Sequence, residues 1–149
     1  MAVNAPEVQV LIDDGAKSVI KIIGYYNAAT SSNTLVVQAN TLAFGNTSKT
    51  CIVTLTGVTY STSMANGYVQ LQWIGSSSNT GILNFGRNSS GTLSAWIPNN
   101  ASSPTGDIAL QVVNAQPNDS YDLLLLLNKE AQLGYANAYV GYNDSTFKP

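Results

Sequence analysis

The stretch from Gly106 to Leu127, GDIALQVVNAQPNDSYDLLLLL, constrains the fold more than any other part of the chain. In its first half Ile108, Leu110 and Val112 fall on one side of an extended strand, with Asp107, Ala109 and Gln111 on the other. Gln116-Pro117-Asn118-Asp119-Ser120 then turns the chain, because proline sets φ and Asn and Asp can bond their own backbone. Tyr121 to Leu127 follows, with leucine at every position from 123 to 127, so both of its faces are apolar. Leucine alone would favour a helix at this length. The turn before it, and the strand before that, predict instead a central strand buried on both sides, in the middle of the sheet system.

The rest of the chain supplies short strands to go with it. Val8–Ile12 is a first strand, closed by the Asp13-Asp14-Gly15 turn, and Lys17–Tyr26 a second. Asn27–Asn33 reads as a loop, Thr34–Gln38 as a strand and Ala39–Lys49 as a long connection. Thr50–Tyr60 is rich in β-branched residues and is bent at Gly57. Tyr68–Ile74 alternates most cleanly, with Val69, Leu71 and Trp73 pointing one way and Gln70 and Gln72 the other. Gly81–Phe85 and Gly91–Ile97 follow, separated by Gly- and Ser-rich turns. Strands at this spacing predict an all-β fold, an antiparallel two-sheet β-sandwich that is jelly-roll-like. Helical patterning is confined to one turn at most, Lys129–Leu133. The expected organisation is an N-terminal arm at 1–7, a sandwich domain at 8–128 and a C-terminal arm at 129–149.

Charge and residue usage narrow the function. Only 9% of the 149 residues are charged, against about 25% in an average soluble domain. Such a surface suits a subunit packed against neighbours or an extracellular protein; a neutral-surfaced monomer is the plainer alternative. The net charge is −2 and no basic cluster occurs, which argues against nucleic acid. No run approaches the roughly 18 apolar residues of a membrane helix. The first residues lack the pattern of a signal peptide, so synthesis in a reducing cytoplasm is expected. Cys51, the single cysteine, is expected to be a small buried residue.

The chain has no histidine, which excludes Ser-His-Asp, Cys-His and His-metal chemistry, and it shows no phosphate-binding loop. Glu7, Asp13, Asp14, Asp107, Asp119, Asp122, Glu130 and Asp144 mostly sit beside turn residues, so neither an acid–base pair nor a calcium loop is expected. The reading is non-enzymatic, without cofactor or metal. Asn-X-Ser/Thr triplets at Asn46, Asn88, Asn100, Asn118 and Asn143 are what chance gives in so Asn- and Ser-rich a chain. Trp73 shares its face with Val69 and Leu71 and belongs to the core; Trp96, next to a loop, could stand at a rim and stack on a sugar, but a core or protein-interface position is the favoured reading, given how much area a tryptophan buries. Tyr135, Tyr139, Tyr142 and Phe147 are spread along the C-terminal arm. They can lie on the chain's own sandwich or, the favoured expectation, on a neighbour.

The order Val69-Gln70-Leu71-Gln72-Trp73, a glycine-spaced hairpin, Ile97-Pro98-Asn99-Asn100, Thr105-Gly106-Asp107-Ile108, Val112-Val113-Asn114-Ala115 and Asn118 to Leu123 resembles a family of small virion structural proteins. These are encoded by tailed phages of marine cyanobacteria and other marine bacteria. Asp14-Gly15-Ala16-Lys17 resembles the family's start, and the similarity covers most of residues 13–128. The resemblance implies a capsid decoration or cement protein on the exterior of a virion, made in the host cytoplasm. It would be a homo-oligomer, such as a trimer at local three-fold positions, bridging copies of the major capsid protein or other virion proteins, with the terminal arms reaching across. The chain departs from the family by adding Lys129–Pro149. The alternative expectation is a receptor- or glycan-binding module of a tail or head fibre.

Overall fold

The computed structural model describes residues 4–46, 48–130 and 134–135. Among them are nine strands: β1 (Glu7–Asp13), β2 (Lys17–Tyr25), β3 (Thr30–Val37), β4 (Val53–Ser63), β5 (Tyr68–Gly75), β6 (Asn79–Gly86), β7 (Ser89–Ile97), β8 (Pro104–Ala115) and β9 (Ser120–Lys129). A single 3-10 turn lies at Ala39–Thr41. The strands form two antiparallel sheets, β1-β2-β9-β4-β7 and β3-β8-β5-β6. The pairs β5–β6, β4–β7, β3–β8 and β2–β9 are nested, as if one long ribbon had been folded at the β5–β6 turn. Rolling that ribbon brings β9 against β4 and β8 against β5, which closes each sheet. This is jelly-roll topology with β1 added at one edge.

The roll explains why Gly106–Leu127 matters so much. β8 is interior in the four-stranded sheet and β9 interior in the five-stranded one, and the turn at 116–119 passes the chain from one sheet to the other. That turn is held by Asp119, whose Oδ2 accepts the Gln116 N–H at 2.8 Å, with Asn118 at φ 75°. Inward residues of both sheets make one core: Ile20, Ile22, Leu55, Val58, Val69, Leu71, Trp73, Ile108, Leu110, Leu123, Leu125 and Leu127 are all buried. Each such side chain contributes roughly 1.5–3 kcal/mol on burial. Cys51 is also buried.

Expectations for strand burial and strand bounds are corrected. β9 is buried on one face only: Tyr121, Leu123, Leu125, Leu127 and Lys129 point inward, while Asp122 and Leu126 are exposed and Leu124 is half-buried. Nothing in the chain's described residues forms a layer over that side. The segment Thr30–Asn33 is strand rather than loop, because β3 is an edge strand whose Ser and Thr side chains can stay wet while its backbone pairs with β8. Strands β6 and β7, also at edges, extend by two residues into the polar Asn79–Thr80 and Ser89–Ser90 segments for the same reason, and the interior β4 extends by three into Ser61–Ser63, where β9 pairs with it on one side and β7 on the other. At the N-terminus Asn4 is tied down: its Oδ1 accepts the Asn27 N–H at 3.0 Å and its own N–H donates to Tyr25 O at 2.9 Å.

Candidate functional site: the outer face of the five-stranded sheet

Pleating places alternate residues of each strand on the solvent side of this sheet. Cross-strand pairing sets them in rows. Ile12, Val19 and Leu126 line up, and Leu126 pairs onward with Gly57 of β4. Lys21, Leu124, Thr59 and Thr92 make the next row, and Ile23, Asp122, Ser61 and Ser90 the one after. On β7 the inward positions Leu93 and Ile97 fix Trp96 as outward, and it is 64% exposed. A β-bulge in β1 turns Leu11 out beside Ile12, and both are exposed.

The face therefore has two zones. Leu11 and Ile12 of β1, Val19 of β2 and Leu124 and Leu126 of β9 form an apolar belt, and Trp96 of β7 stands beyond Gly57 of β4 on the same face. Gly57 keeps its centre low, since a Cβ there would meet Leu93 O at 3.3 Å and the Leu126 side chain at 3.6 Å. Beside the belt runs a shallow furrow of two adjoining depressions, of about 430 and 360 Å³, which share Lys21, Ser61 and Asp122. Tyr25 stands at the far end of the furrow.

The opposite outer face, on the four-stranded sheet, is different in kind. Gln72 Nε2 donates to Gln70 Oε1 at 2.6 Å and to Gln111 Oε1 at 3.0 Å, and Gln72 Oε1 accepts from Asn33 at 2.9 Å and Asn79 at 3.1 Å. These amides satisfy one another across four strands and give that face a polar centre, with Leu35 and Tyr68 exposed on the same side.

Most of the described carboxylates have structural partners. Asp14 Oδ1 accepts the Ala16 and Lys17 N–H groups, each at 2.8 Å, and these bonds hold its pKa below the ordinary value. Asp107 accepts the Ala39 N–H at 2.9 Å; burial pushes its pKa up against that bond. Glu130 accepts from Thr54 at 2.5 Å. Asp13 is the counterion of Lys129, whose ammonium is wholly buried and lies 2.6 Å from Asp13 Oδ1 and 2.8 Å from Ala43 O. Among the described residues no cluster of three or more acidic, Cys or His side chains is placed to hold a metal.

The aromatic residues expected at an interface separate. Trp96 is on the same face as the apolar belt. Tyr135 is not available to a neighbour: it is buried, its hydroxyl donates to Ala39 O at 2.7 Å, and the Lys129 ammonium lies 5.5 Å from its ring centre. It belongs to the chain's own sandwich, because a tyrosine that can satisfy its hydroxyl gains more from a dry slot than from a wet surface. Tyr139, Tyr142 and Phe147 lie outside the described residues. Leu124 and Leu126 were missed as surface residues, although strict alternation forces two of five consecutive leucines onto the outer face.

No protein-family model and no curated protein matches the chain. Among solved structures it is similar to a mutant of CBM29-2, a family 29 carbohydrate-binding module. The identity is 10%, the TM-score 0.41, and the match covers 93% of this chain and 95% of that one. Function is read from the site's own residues.

Proposed function

We propose that the chain is a non-enzymatic assembly subunit of the capsid-decoration type, which binds virion neighbours and copies of itself through the outer face of its five-stranded sheet. One observation supports this above others: an interior strand, β9, carries leucines on its solvent side, and they join Leu11, Ile12 and Val19 in a single belt, with Trp96 on the same face. Contiguous apolar surface of this kind marks an interaction site. Aliphatic side chains with an aromatic at the margin and a polar rim match the anatomy of protein interfaces. A subunit that bridges capsomers through such a face stabilises the shell by mass action, since it binds the assembled state and not the separated one.

The test is co-sedimentation with undecorated phage heads, together with mass measurement in solution, for the wild type and for Leu124→Ser/Leu126→Ser. Wild type should sediment with heads and the variant should lose most of its occupancy while keeping its fold. Equal occupancy would remove the belt from the interface.

A second reading has one specific observation in its favour. Trp96 and Tyr25 are exposed aromatics at the margins of a face whose floor carries Lys21, Asp122, Ser61 and Ser63, a combination that could stack and hydrogen-bond a sugar chain. Glycan-array binding that disappears in Trp96→Ala, with no binding to heads, would favour that reading.

A further inference from the structure

The outer face of the four-stranded sheet carries an ordered set of amides that neither the core nor the belt uses. Asn33, Gln111, Gln70 and Asn84 pair across β3, β8, β5 and β6 in one row. Gln72 and Gly81 lie in the next row, with Leu35 at its β3 end, and Tyr68 and Gly86 flank the amide row on the other side. These rows hold no lysine, arginine or carboxylate. Gln72, only 9% exposed, is the hub. A side-chain amide has two donor hydrogens and two acceptor lone pairs. Gln72 uses all four, donating to Gln70 and Gln111 and accepting from Asn33 and Asn79. Each of those partners is oriented through one end of its amide, and the other end keeps its capacity. Among the described residues nothing bonds Nε2 of Gln70 or Gln111, or Oδ1 of Asn33 or Asn79.

We propose that this face binds a neutral polysaccharide, its sugar rings lying along β5 and β6. The hub holds two amide donors and two carbonyl acceptors in place before any ligand arrives, and groups ordered in advance cost less to engage. A sugar hydroxyl both donates and accepts, so adjacent hydroxyls match both kinds of group. Gly81 leaves the way open. A Cβ there would stand 3.0 Å from Gln70 Nε2, and without it a trough of about 190 Å³ runs between Gln70 and Asn84. Tyr68, 37% exposed, stands two residues along β5 from Gln70, where its ring can stack on a sugar face. Gly86 beside it has no side chain to cover it. Other ligands fit less well. A protein partner needs an apolar centre and a polar rim, whereas here the amides are central and Leu35 and Tyr68 stand at the margins. A polyanion, nucleic acid included, would meet no cation in these rows, on a chain of net charge −2. The site lies on the opposite side of the sandwich from the belt, so both can be occupied at once, and it does not rest on the proposed function.

Affinity electrophoresis of the full chain tests this, in native gels containing hydroxyethyl cellulose, galactomannan or dextran as neutral polymers and alginate as an acidic one. Wild type should be retarded by at least one neutral polymer and not by alginate. Gln70→Ala/Gln111→Ala and Tyr68→Ala should each weaken that binding at least tenfold in apparent Kd. Asn84→Ala, which leaves every bond of the hub intact, should weaken it several-fold at an unchanged urea midpoint, so a folding defect in the double variant does not shelter the proposal. Trp96→Ala and Leu124→Ser/Leu126→Ser alter only the other face and should be retarded as wild type is. No retardation by any neutral polymer, retardation by alginate equal to or above theirs, or retardation that survives in all three amide-face variants overturns the proposal. So does its loss in Trp96→Ala, which would move sugar binding to the other sheet. No gel contains phage heads, so failure here and failure of head binding are read separately.

Discussion

Replacing Asp13 should destabilise the protein far more than replacing its partner Lys129, and the geometry says why. The Lys129 side chain has no solvent exposure, whereas that of Asp13 keeps 26% of its own. The ammonium is held by Asp13 Oδ1 at 2.6 Å, by Asp14 O at 2.5 Å and by Ala43 O at 2.8 Å. Asp13→Ala leaves a dry cation with carbonyls but no counterion, a loss of about 3–5 kcal/mol for a broken buried pair. Lys129→Met removes the buried charge and keeps the aliphatic volume. The Asp13 carboxylate left behind still accepts from Ser18 Oγ at 2.8 Å and Ala43 N–H at 2.9 Å and can be hydrated, so about 1–2 kcal/mol is expected. With a urea slope near 2 kcal/mol/M, the midpoints should fall by about 2 M and by less than about 1 M. Acid supplies the internal check. Burial opposes ionisation of Asp13, but the bonds from Lys129, Ala43 and Ser18 outweigh it and hold its pKa below the ordinary 3.8. A depressed carboxylate contributes stability that is complete above its unfolded pKa and disappears as pH falls through the folded one. The gap between wild type and Asp13→Asn should therefore be constant near neutrality and close below about pH 4. If Asp13→Ala costs no more than Lys129→Met, or if the gap persists in strong acid, the ammonium is not held as described.

Other perturbations have equally definite outcomes. Gly106 has φ +92° and a Cβ there would come close against Cys51 O, so Gly106→Ala should lower stability by at least about 2 kcal/mol in urea unfolding. Trp73 is buried with its indole Nε1 unpartnered among the described residues, so Trp73→Phe should cost less than about 1.5 kcal/mol, whereas Trp73→Ala should cost about 3–5. Tyr26, Tyr121 and Tyr135 all have pKa values raised chiefly by burial. Their contribution is intact below the ordinary tyrosine pKa near 10 and is lost above it, so ultraviolet absorbance should show these phenols ionising together with alkaline unfolding and not before it. Tyr135→Phe removes only the bond to Ala39 O and should cost about 1 kcal/mol, while Tyr135→Ala should cost about 3–5 kcal/mol by calorimetry.

Fold class was legible wherever a strand has one wet and one dry face. Val69, Leu71 and Trp73, and Ile108, Leu110 and Val112, alternate in the sequence because one core takes every second side chain, and all six are buried. Legibility fails for strands stabilised by backbone pairing at a wet edge. Thr30–Asn33 has the composition of a loop, and only β8 beside it makes it a strand. The nesting of β2 with β9 and β3 with β8 was not readable, because partners so far apart in sequence leave no local signal.

The site was half-legible for a related reason. Trp73 and Trp96 are the same residue type, and their neighbours separated them: one sits in an alternating apolar row, the other does not. Five consecutive leucines, however, signal burial on both faces equally well whether the second cover is the same chain or another molecule. Sequence patterning records that a face is apolar and does not record what covers it. Lys129 shows the converse. Lysine is ordinarily a surface residue, yet position 129 continues the inward series 121, 123, 125 and 127, and strand periodicity carries it inside, where Asp13 must meet it. Periodicity outranked residue type at both places. The same rule, applied to Leu124 and Leu126, puts two large apolar side chains on the surface of an interior strand, and a charge-poor chain has little else with which to keep that surface from binding.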